Sequence, residues 1–219
     1  MKHSFLIPIV FVFISLLCMS VRCQKEIERI YKYAFVEKLD LFPAQKIYHI
    51  GDTIWLQYSN AAKKLFDSKT SQEILLDTIS VPFQISLNSR YNAPTNPQGG
   101  FCDFLSSNGI NAGLYLDVYG TGMSQGFGCN SSNSIDFKVG VVLKKTGIYS
   151  LDLGFPRDIG ACQNRISSIP ISTIEYRFNV PDCNKDIYLS IPVNSRGESN
   201  KGYTESEIDN KQIFVLKVE

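Results

Sequence analysis

The sequence has no excess of either charge and very little histidine. Its 22 basic residues balance 21 acidic ones, which gives a formal net charge of +1 over 219 residues. Nucleic-acid-binding domains and proteins that adhere to anionic membranes usually carry an excess of basic residues, so the balance argues against both kinds of partner. The two histidines are His3 and His49, and they leave little scope for a Ser–His–Asp or Cys–His catalytic site.

Long apolar runs are also missing, except near the N-terminus. A short basic start precedes the apolar stretch 5–17, which is too short for the roughly 20 residues of a membrane span but suits a signal peptide. Val21 and Cys23 are small enough for the −3 and −1 positions of a cleavage site before Gln24. We therefore predict a signal peptide at 1–23, export to the periplasm, cell surface or extracellular space, and no membrane span in the mature chain.

Lipoprotein processing is the alternative interpretation of the same segment. Cys23 would then be retained and lipidated, and the protein would be an outer-membrane lipoprotein subunit. Arg22 disfavours this route, because lipoprotein peptidases prefer a small residue directly before the cysteine. An uncleaved anchor is a third alternative.

The cysteines predict a disulfide framework in the mature chain. Cys18 and Cys23 leave with the signal peptide, and the four that remain are Cys102, Cys129, Cys162 and Cys183. An even number of cysteines in an exported protein favours two disulfides. We predict Cys102–Cys129 and Cys162–Cys183, because each pair brackets one loop-rich stretch. The wide spacing lacks the close CxxC pairs of zinc sites, so we predict no metal site.

Alternation of apolar and polar residues with a period of two is the main pattern of the mature chain. It predicts strands at 54–58, 83–87, 114–119, 135–143, 149–153, 174–180, 187–191 and 213–218. Many short strands separated by turn residues indicate an all-β fold, an antiparallel immunoglobulin-like β-sandwich. Helix is scarce, and the capping-box spacing of Thr204 and Glu207 predicts one short helix at 204–212, near the C-terminus.

Three local features support the sandwich. Gly51 precedes a strand and is free to adopt the backbone angles of a tight entry. Tyr149 follows Thr146 at the start of another strand, where its hydroxyl can bond back to the preceding corner, as in the tyrosine corner of immunoglobulin-like folds. Trp55 is the single tryptophan, and we expect it in the core.

Four segments resemble a family of exported proteins. They are Tyr48–Leu56, Leu65–Thr70, Gly147–Leu151 and Phe214–Glu219, and they resemble uncharacterised exported immunoglobulin-like β-sandwich proteins of the Bacteroidota. The resemblance covers mainly residues 30–90 and 135–219. It implies the fold and an exported location and supplies no active-site residues.

The region 88–134 matches nothing in that family and is predicted to be a loop-rich insertion within a single domain, 24–219. Long loops on a rigid scaffold often carry binding residues. The candidate binding residues, for a protein or glycan of unknown identity, are the aromatic residues Tyr91, Phe101, Tyr115, Tyr119 and Phe127. The alternative is an elaboration without function, tied down by one disulfide.

No catalytic residue and no cofactor is predicted. His49 lacks a nucleophile-elbow motif, and we interpret it as a surface or capping residue. Gly120–Gly126 has GxGxxxG spacing without a βαβ context, so we expect a flexible turn and not a dinucleotide loop. Glycosidases need only two carboxylates, and the second hypothesis is therefore a carbohydrate-active hydrolase that uses two carboxylates in the region 88–134. Asp103, Asp117 and Asp136 lie in or near this region, and nothing in the sequence marks a pair among them. The first hypothesis is a non-enzymatic, exported β-sandwich that acts as a binding or structural module.

Overall fold

The alternating segments form strands that assemble into two sheets. The computed structural model describes residues 33–75, 79–94, 99–106, 110–116, 120–127, 134–154, 157–158, 160–161, 172–196 and 201–219. For 79–80, 110–116, 127, 157–158, 160–161 and 201–203 it describes the backbone alone. The predicted signal peptide 1–23 lies outside the described residues.

The described residues contain fifteen strands. They are β1 (Tyr33–Phe42), β2 (Ile47–Tyr48), β3 (Thr53–Asn60), β4 (Lys64–Asp67), β5 (Gln72–Leu75), β6 (Ile79–Tyr91), β7 (Cys102–Ser106), β8 (Ile110–Leu116), β9 (Gly120–Phe127), β10 (Ile135–Leu143), β11 (Gly147–Leu153), β12 (Arg157–Asp158), β13 (Gly160–Ala161), β14 (Ser172–Phe178) and β15 (Ile213–Val218).

Sheet 1 has the strand order β12-β14-β1-β3-β10-β7, and the β4–β5 hairpin pairs with β1. Sheet 2 has the order β2-β15-β11-β6-β9-β8, and β13 pairs with β6. Most pairings are antiparallel, while β1 with β14 and β2 with β15 are parallel. The predicted all-β sandwich of immunoglobulin-like type is confirmed.

The inner faces of the two sheets form one apolar core. Phe83 of β6 contacts Phe137 of β10 at 4.7 Å between ring centroids and Tyr176 of β14 at 5.6 Å. Farther along, Phe178 of β14 meets Phe214 of β15 at 6.0 Å. Aromatic side chains from both sheets therefore interlock, and each of these rings is almost fully buried.

The described residues of the C-terminal third contain two α-helices and one short 3₁₀ helix: α1 (Lys185–Ser190), the 3₁₀ helix (Val193–Ser195) and α2 (Lys201–Asp209). Helix α2 contains most of the predicted helix at 204–212 but begins three residues earlier. Lys211, which adopts a left-handed φ of 61°, follows its C-terminus. A residue in this conformation commonly ends a helix.

The strand predicted at 187–191 is wrong, because this segment forms α1. Asn184 precedes the helix in a left-handed conformation, φ 58°. Its side-chain amide donates to the carbonyl oxygens of Val215 at 2.7 Å and Gln45 at 3.2 Å. These bonds fix the chain at the edge of sheet 2, where Tyr188 and Ile191 are buried at helical spacing. A short apolar run does not by itself distinguish helix from strand.

The two predicted corner features are confirmed. Gly51 adopts a φ of +93°, and its N–H donates to the Leu143 carbonyl oxygen at 2.8 Å. The Tyr149 hydroxyl donates to the Thr146 carbonyl oxygen at 3.0 Å, as in a tyrosine corner.

A second hydroxyl bond of the same kind was not predicted from the sequence. The Tyr48 hydroxyl donates to the Pro43 carbonyl oxygen at 2.5 Å and accepts from the Gln45 N–H at 3.2 Å. Burial raises the pKa of Tyr48 to about 12, so the phenol stays protonated and can donate. Both corners are therefore held by a buried tyrosine that bonds to a nearby backbone carbonyl.

The region 88–134 contributes β7 to the edge of sheet 1 and β8 and β9 to sheet 2. The flexible turn predicted at Gly120–Gly126 is wrong, because these residues belong to β9. A Cβ at Gly120 would lie 2.1 Å from Asn88 Oδ1, so this glycine is explained by the close approach of two strands. Thr121, Met123 and Gln125 are buried at alternate positions.

Neither predicted disulfide is formed in the structure. Cys102 and Cys183 are free and buried, while Cys129 and Cys162 lie outside the described residues. Both described thiols belong to the apolar core, where a free cysteine packs as a small hydrophobic side chain. The even count of cysteines favours pairing in general but carries no information on where each side chain points.

Trp55 is not in the core, contrary to the prediction. Ile54 and Leu56 are fully buried on the inner face of β3, so Trp55 between them points to the outer face, where it is half-buried. The alternation that places its neighbours inside places the indole outside.

Candidate functional site

A groove of about 500 Å³ lies against the outer face of sheet 2. Its apolar lining comes from Ile47, Tyr91, Ile148, Ile187 and Val218. Its polar lining comes from Lys46, Asn92, Thr146, Ser190 and Lys217. A mostly apolar concavity of this size with a few polar groups is the usual form of a ligand site.

Helix α1 forms one wall of the groove through Ile187 and Ser190, and α2 packs beside it. Both contact β15, whose outward-facing Ile213 and Val215 are nearly fully buried. Lys185 Nζ joins α1 to α2 through Asp209 Oδ2 at 2.7 Å. We call α1, the 3₁₀ helix and α2 the helical cap. The cap covers β15, and the groove lies where Ile187 of the cap faces the uncovered part of sheet 2.

A β-bulge brings Tyr91 into the groove. Tyr149 of β11 pairs with Ser89, but the next pair is Ile148 with Tyr91, so Arg90 is the extra residue. A bulge of this kind re-aims the side chains that follow it. Tyr91 consequently lies beside the outward-facing Ile148 and lines the groove, and it is half-buried.

Arg90 anchors the bulge on the same outer face. Its guanidinium donates to Ser150 Oγ at 2.7 Å and to Asp152 Oδ2 at 2.9 Å. Asn88 Nδ2 also donates to Asp152 Oδ2, at 2.6 Å. Ser150 is fully buried, and its bond to Arg90 therefore ties the extra residue to the neighbouring strand.

Each lysine of the groove is paired with a carboxylate outside the lining. Lys46 Nζ lies 2.6 Å from Asp186 Oδ2, and Lys217 Nζ lies 2.6 Å from Glu219 Oε1. The hydrogen bond to Asp186 raises the pKa of Lys46, and the reciprocal bond lowers the pKa of Asp186. All four side chains are substantially exposed, so each pair contributes little to stability.

Phe101, the other predicted binding residue whose side chain is described, does not line the groove. Phe101 is only 1% exposed and packs against Tyr149 at 5.6 Å between ring centroids, so its prediction as a binding residue is contradicted by its burial. The side chains of Tyr115, Tyr119 and Phe127 lie outside the described residues. Of the five candidates, Tyr91 is the one that the structure places at a cavity.

Sheet 1 carries a different aromatic surface on its outer face. Lys138 Nζ lies 4.4 Å from the ring centroid of Trp55 and 5.3 Å from that of Phe42. Gly140 lies opposite Trp55 on β10, and a Cβ there would be 2.9 Å from the indole Cζ3. The indole is therefore packed onto a glycine and covered by an ammonium group, which is a cation–π arrangement between neighbouring strands.

The acidic residues of the hydrolase hypothesis are not paired where they are described. Asp103 lies opposite Val142 and forms an ion pair with Lys144 at 2.9 Å. Asp136, six positions before Val142 on β10, accepts a bond from Ser59 at 2.5 Å. Six strand residues span about 20 Å, beyond the separation of a glycosidase pair. Asp117 lies outside the described residues.

Three further sequence predictions concern sites or spans. His49 is exposed, and its backbone N–H donates to Asp52 Oδ2 at 2.8 Å. In the part of the chain that the structure describes, no three histidine, cysteine or acidic side chains gather as metal ligands would. The described helices are all too short or too polar to cross a membrane.

Comparisons with known proteins give little beyond the fold. No protein-family model matches the chain, and no curated protein matches it in sequence. Among solved structures, the chain is similar to the seventh ScaB type I cohesin from Pseudobacteroides cellulosolvens, at 12% identity, over 67% of this chain and 96% of that chain, with a TM-score of 0.26. So distant a likeness carries no argument about a ligand, and the sandwich description rests on the two sheets themselves.

Proposed function

We propose that this chain is an exported, non-enzymatic β-sandwich binding module whose ligand occupies the groove on sheet 2. The observation that carries the proposal is the lining of that groove. Apolar side chains from β2, β6, β11, β15 and α1 converge there with amide, hydroxyl and ammonium groups at its margin. Ligand sites are usually concave and mostly apolar, with a few polar groups that orient the ligand. The groove has these features, and they support a role in binding.

Export and the absence of catalysis are parts of the same proposal. The N-terminal segment 1–23 has the pattern of a signal peptide, and the sequence resembles exported β-sandwich proteins of the Bacteroidota. Mass spectrometry of the mature N-terminus tests the export route. A chain that begins at Gln24 supports cleavage, and a diacylated Cys23 would replace it with lipid anchoring.

Two matched variants test the groove as the binding site. Ile47 in the groove is 48% exposed and Leu105 on sheet 1 is 46% exposed. Ile47→Glu and Leu105→Glu therefore each replace an equally exposed aliphatic side chain by a carboxylate. Both variants should fold, because neither side chain belongs to the core.

The purified protein and both variants are applied to a glycan array and to a displayed peptide library. We expect Ile47→Glu to lose the ligands that the parent protein and Leu105→Glu both retain. Ligands that survive Ile47→Glu and disappear with Leu105→Glu would place the binding site on sheet 1 and reject the groove.

A further inference from the structure

The charge of the groove is one-sided. Among its described lining residues, Lys46 and Lys217 are cationic and none is acidic. Asn92, Thr146 and Ser190 add uncharged hydrogen-bonding groups. A ligand that fits these features combines an apolar body with negative charge.

A negatively charged ligand can displace the carboxylates that are paired with the two lysines. Asp186 is 60% exposed and Glu219 is 45% exposed in their ion pairs. Exposed pairs of this kind are worth little, because water competes for both groups and two long side chains must be held in place. A ligand carboxylate that enters the groove can therefore share or replace the existing bonds to the lysines at small cost in free energy. The apolar groups next to that carboxylate in the ligand add favourable free energy when they are buried.

Exposed apolar side chains also occur in the chain segments that contribute to the groove. Ile47 itself is half exposed, and Ile50, Leu189 and Val193 are each exposed by about half on the flanking turn and helices. Four of the eight large exposed apolar side chains of the described residues thus lie in two short segments, 47–50 and 189–193. A small molecule fills only the groove, whereas a polypeptide bound there can extend over the neighbouring parts of the same segments.

We infer that the groove binds a segment of a partner protein in which acidic residues flank apolar ones. The inference rests on the proposed function, since it names the ligand class of the same site. The apolar side chains of the segment pack against Tyr91, Ile148 and Ile187, while its carboxylates face Lys46 and Lys217. The segment stays in the groove through apolar burial, and its charge selects it over other apolar segments.

Two fluorescein-labelled peptides of the same apolar sequence test the charge preference. The probes are Glu-Leu-Phe-Glu-Leu-amide and Lys-Leu-Phe-Lys-Leu-amide, each carrying fluorescein on its N-terminal amine, and they are titrated against the purified full chain by fluorescence polarisation. We expect the acidic probe to bind about five- to tenfold more tightly at low salt, and 0.5 M sodium chloride to reduce that preference.

The lysine variants assign the preference to the groove. Lys46→Gln combined with Lys217→Gln should remove the preference, whereas Lys38→Gln combined with Lys144→Gln on the sheet 1 side should retain it. Equal binding of the two probes, tighter binding of the basic probe, or a preference that survives the groove double variant each overturns the inference.

The outcomes separate this inference from the proposed function. If the parent protein binds both probes equally and Ile47→Glu abolishes binding of both, the groove is the site and its charge preference is wrong. If neither probe binds while glycans bind in an Ile47-dependent manner, the groove is again the site and a protein segment is not its ligand. If Ile47→Glu leaves every bound ligand unaffected, the proposed function fails as well.

Discussion

The outer faces of the two sheets carry aromatic side chains of different kinds. On sheet 1, Trp55 packs onto Gly140, and Lys138 lies over its ring. On sheet 2, the helical cap covers β15, and Tyr91 lines a groove beside it. The comparison shows that an outward aromatic side chain is not by itself a binding residue. The concavity next to Tyr91 depends on the cap, and sheet 1 has no described helix to form one.

The largest expected effect concerns the buried cap. Tyr188 of α1 is 1% exposed, so Tyr188→Ala should destabilise the fold by about 3 kcal/mol through loss of packing. Trp55→Ala on the uncovered face should destabilise it by only about 1 kcal/mol. Urea unfolding measures both changes.

Tyr188→Phe is the control for the first variant. The Tyr188 hydroxyl is buried without a hydrogen-bond partner in the described part of the chain, so its removal should leave stability unchanged or slightly raised. If Tyr188→Ala and Trp55→Ala lowered the free energy of unfolding equally, the helical cap would be only weakly packed against sheet 2.

The two buried thiols give the next contrast. Burial raises the pKa of Cys183 from its ordinary value of 9.0 to about 11 and also raises the pKa of Cys102. A two-unit shift lowers the thiolate fraction of Cys183 at pH 8 about a hundredfold. In the denatured, unreduced protein, the thiols of Cys102 and Cys183 should both react with Ellman's reagent. Over the same time, neither thiol should react in the native protein.

Single alanine variants assign these thiols. Cys102→Ala and Cys183→Ala should each lower the denatured count by one. A count that rises by one for either variant would mean that the corresponding cysteine is in a disulfide, as the sequence alone predicts, because its removal frees the partner thiol.

A smaller effect is expected at the aromatic surface of sheet 1. Gly140→Ala places a Cβ about 2.9 Å from the indole of Trp55 and 3.1 Å from Thr53 Cγ2. The indole must shift outward, which should destabilise the fold by about 1 kcal/mol. Trp55 is the only tryptophan, so intrinsic fluorescence reports on it alone and should shift to longer wavelength. An unchanged emission spectrum would show that the ring is not packed onto Gly140.

The smallest effect is a pH dependence at Glu37, on the inner face of sheet 1. Desolvation by burial raises the pKa of Glu37 above its ordinary value of 4.5, although the Tyr58 hydroxyl donates to its carboxylate at 3.0 Å. The folded state thus binds this proton more tightly than the unfolded chain does. Its stabilising contribution is complete below pH 4.5 and is lost as the pH rises through the folded-state pKa.

Glu37→Gln isolates that contribution. The amide stays neutral and can still accept the Tyr58 bond, so the variant should gain stability relative to the parent protein between pH 4 and pH 7. Urea unfolding at the two pH values measures the difference, and a relative loss of stability at pH 7 would contradict the direction of the pKa shift.

The sequence predicts the sandwich because β3, β6, β10, β11, β14 and β15 each carry their own signal, whereas β1 was not predicted and β9 was predicted as a turn. Ile54 and Leu56 alternate with polar neighbours, and Tyr149 follows a turn at the spacing of a tyrosine corner. Such signals are local, and local patterns determine which face of a strand is buried. The same rule, applied to Trp55, would have placed it outside, and the expectation of a core tryptophan overrode the pattern.

The groove could not be predicted in the same way, because it depends on a β-bulge and on a helix, and the alternation of apolar and polar residues indicates neither. Strict alternation from Leu87 would direct Tyr91 into the core, and only the bulge at Arg90 turns it outward. The opposite wall is α1, whose apolar run 187–191 also fits a strand. Tyr91 was therefore predicted as a binding residue because of its region, and not because of the geometry that places it at the groove.

The most direct test of the groove is a nitrogen-15 NMR titration of the protein with the acidic peptide. The account predicts progressive shifts of backbone amides at Tyr91, Ile148, Ile187 and Ser190, while the single indole N–H signal of Trp55 stays unmoved. Shifts of the Trp55 indole and of neighbouring sheet 1 amides, with the groove amides unchanged, would contradict it.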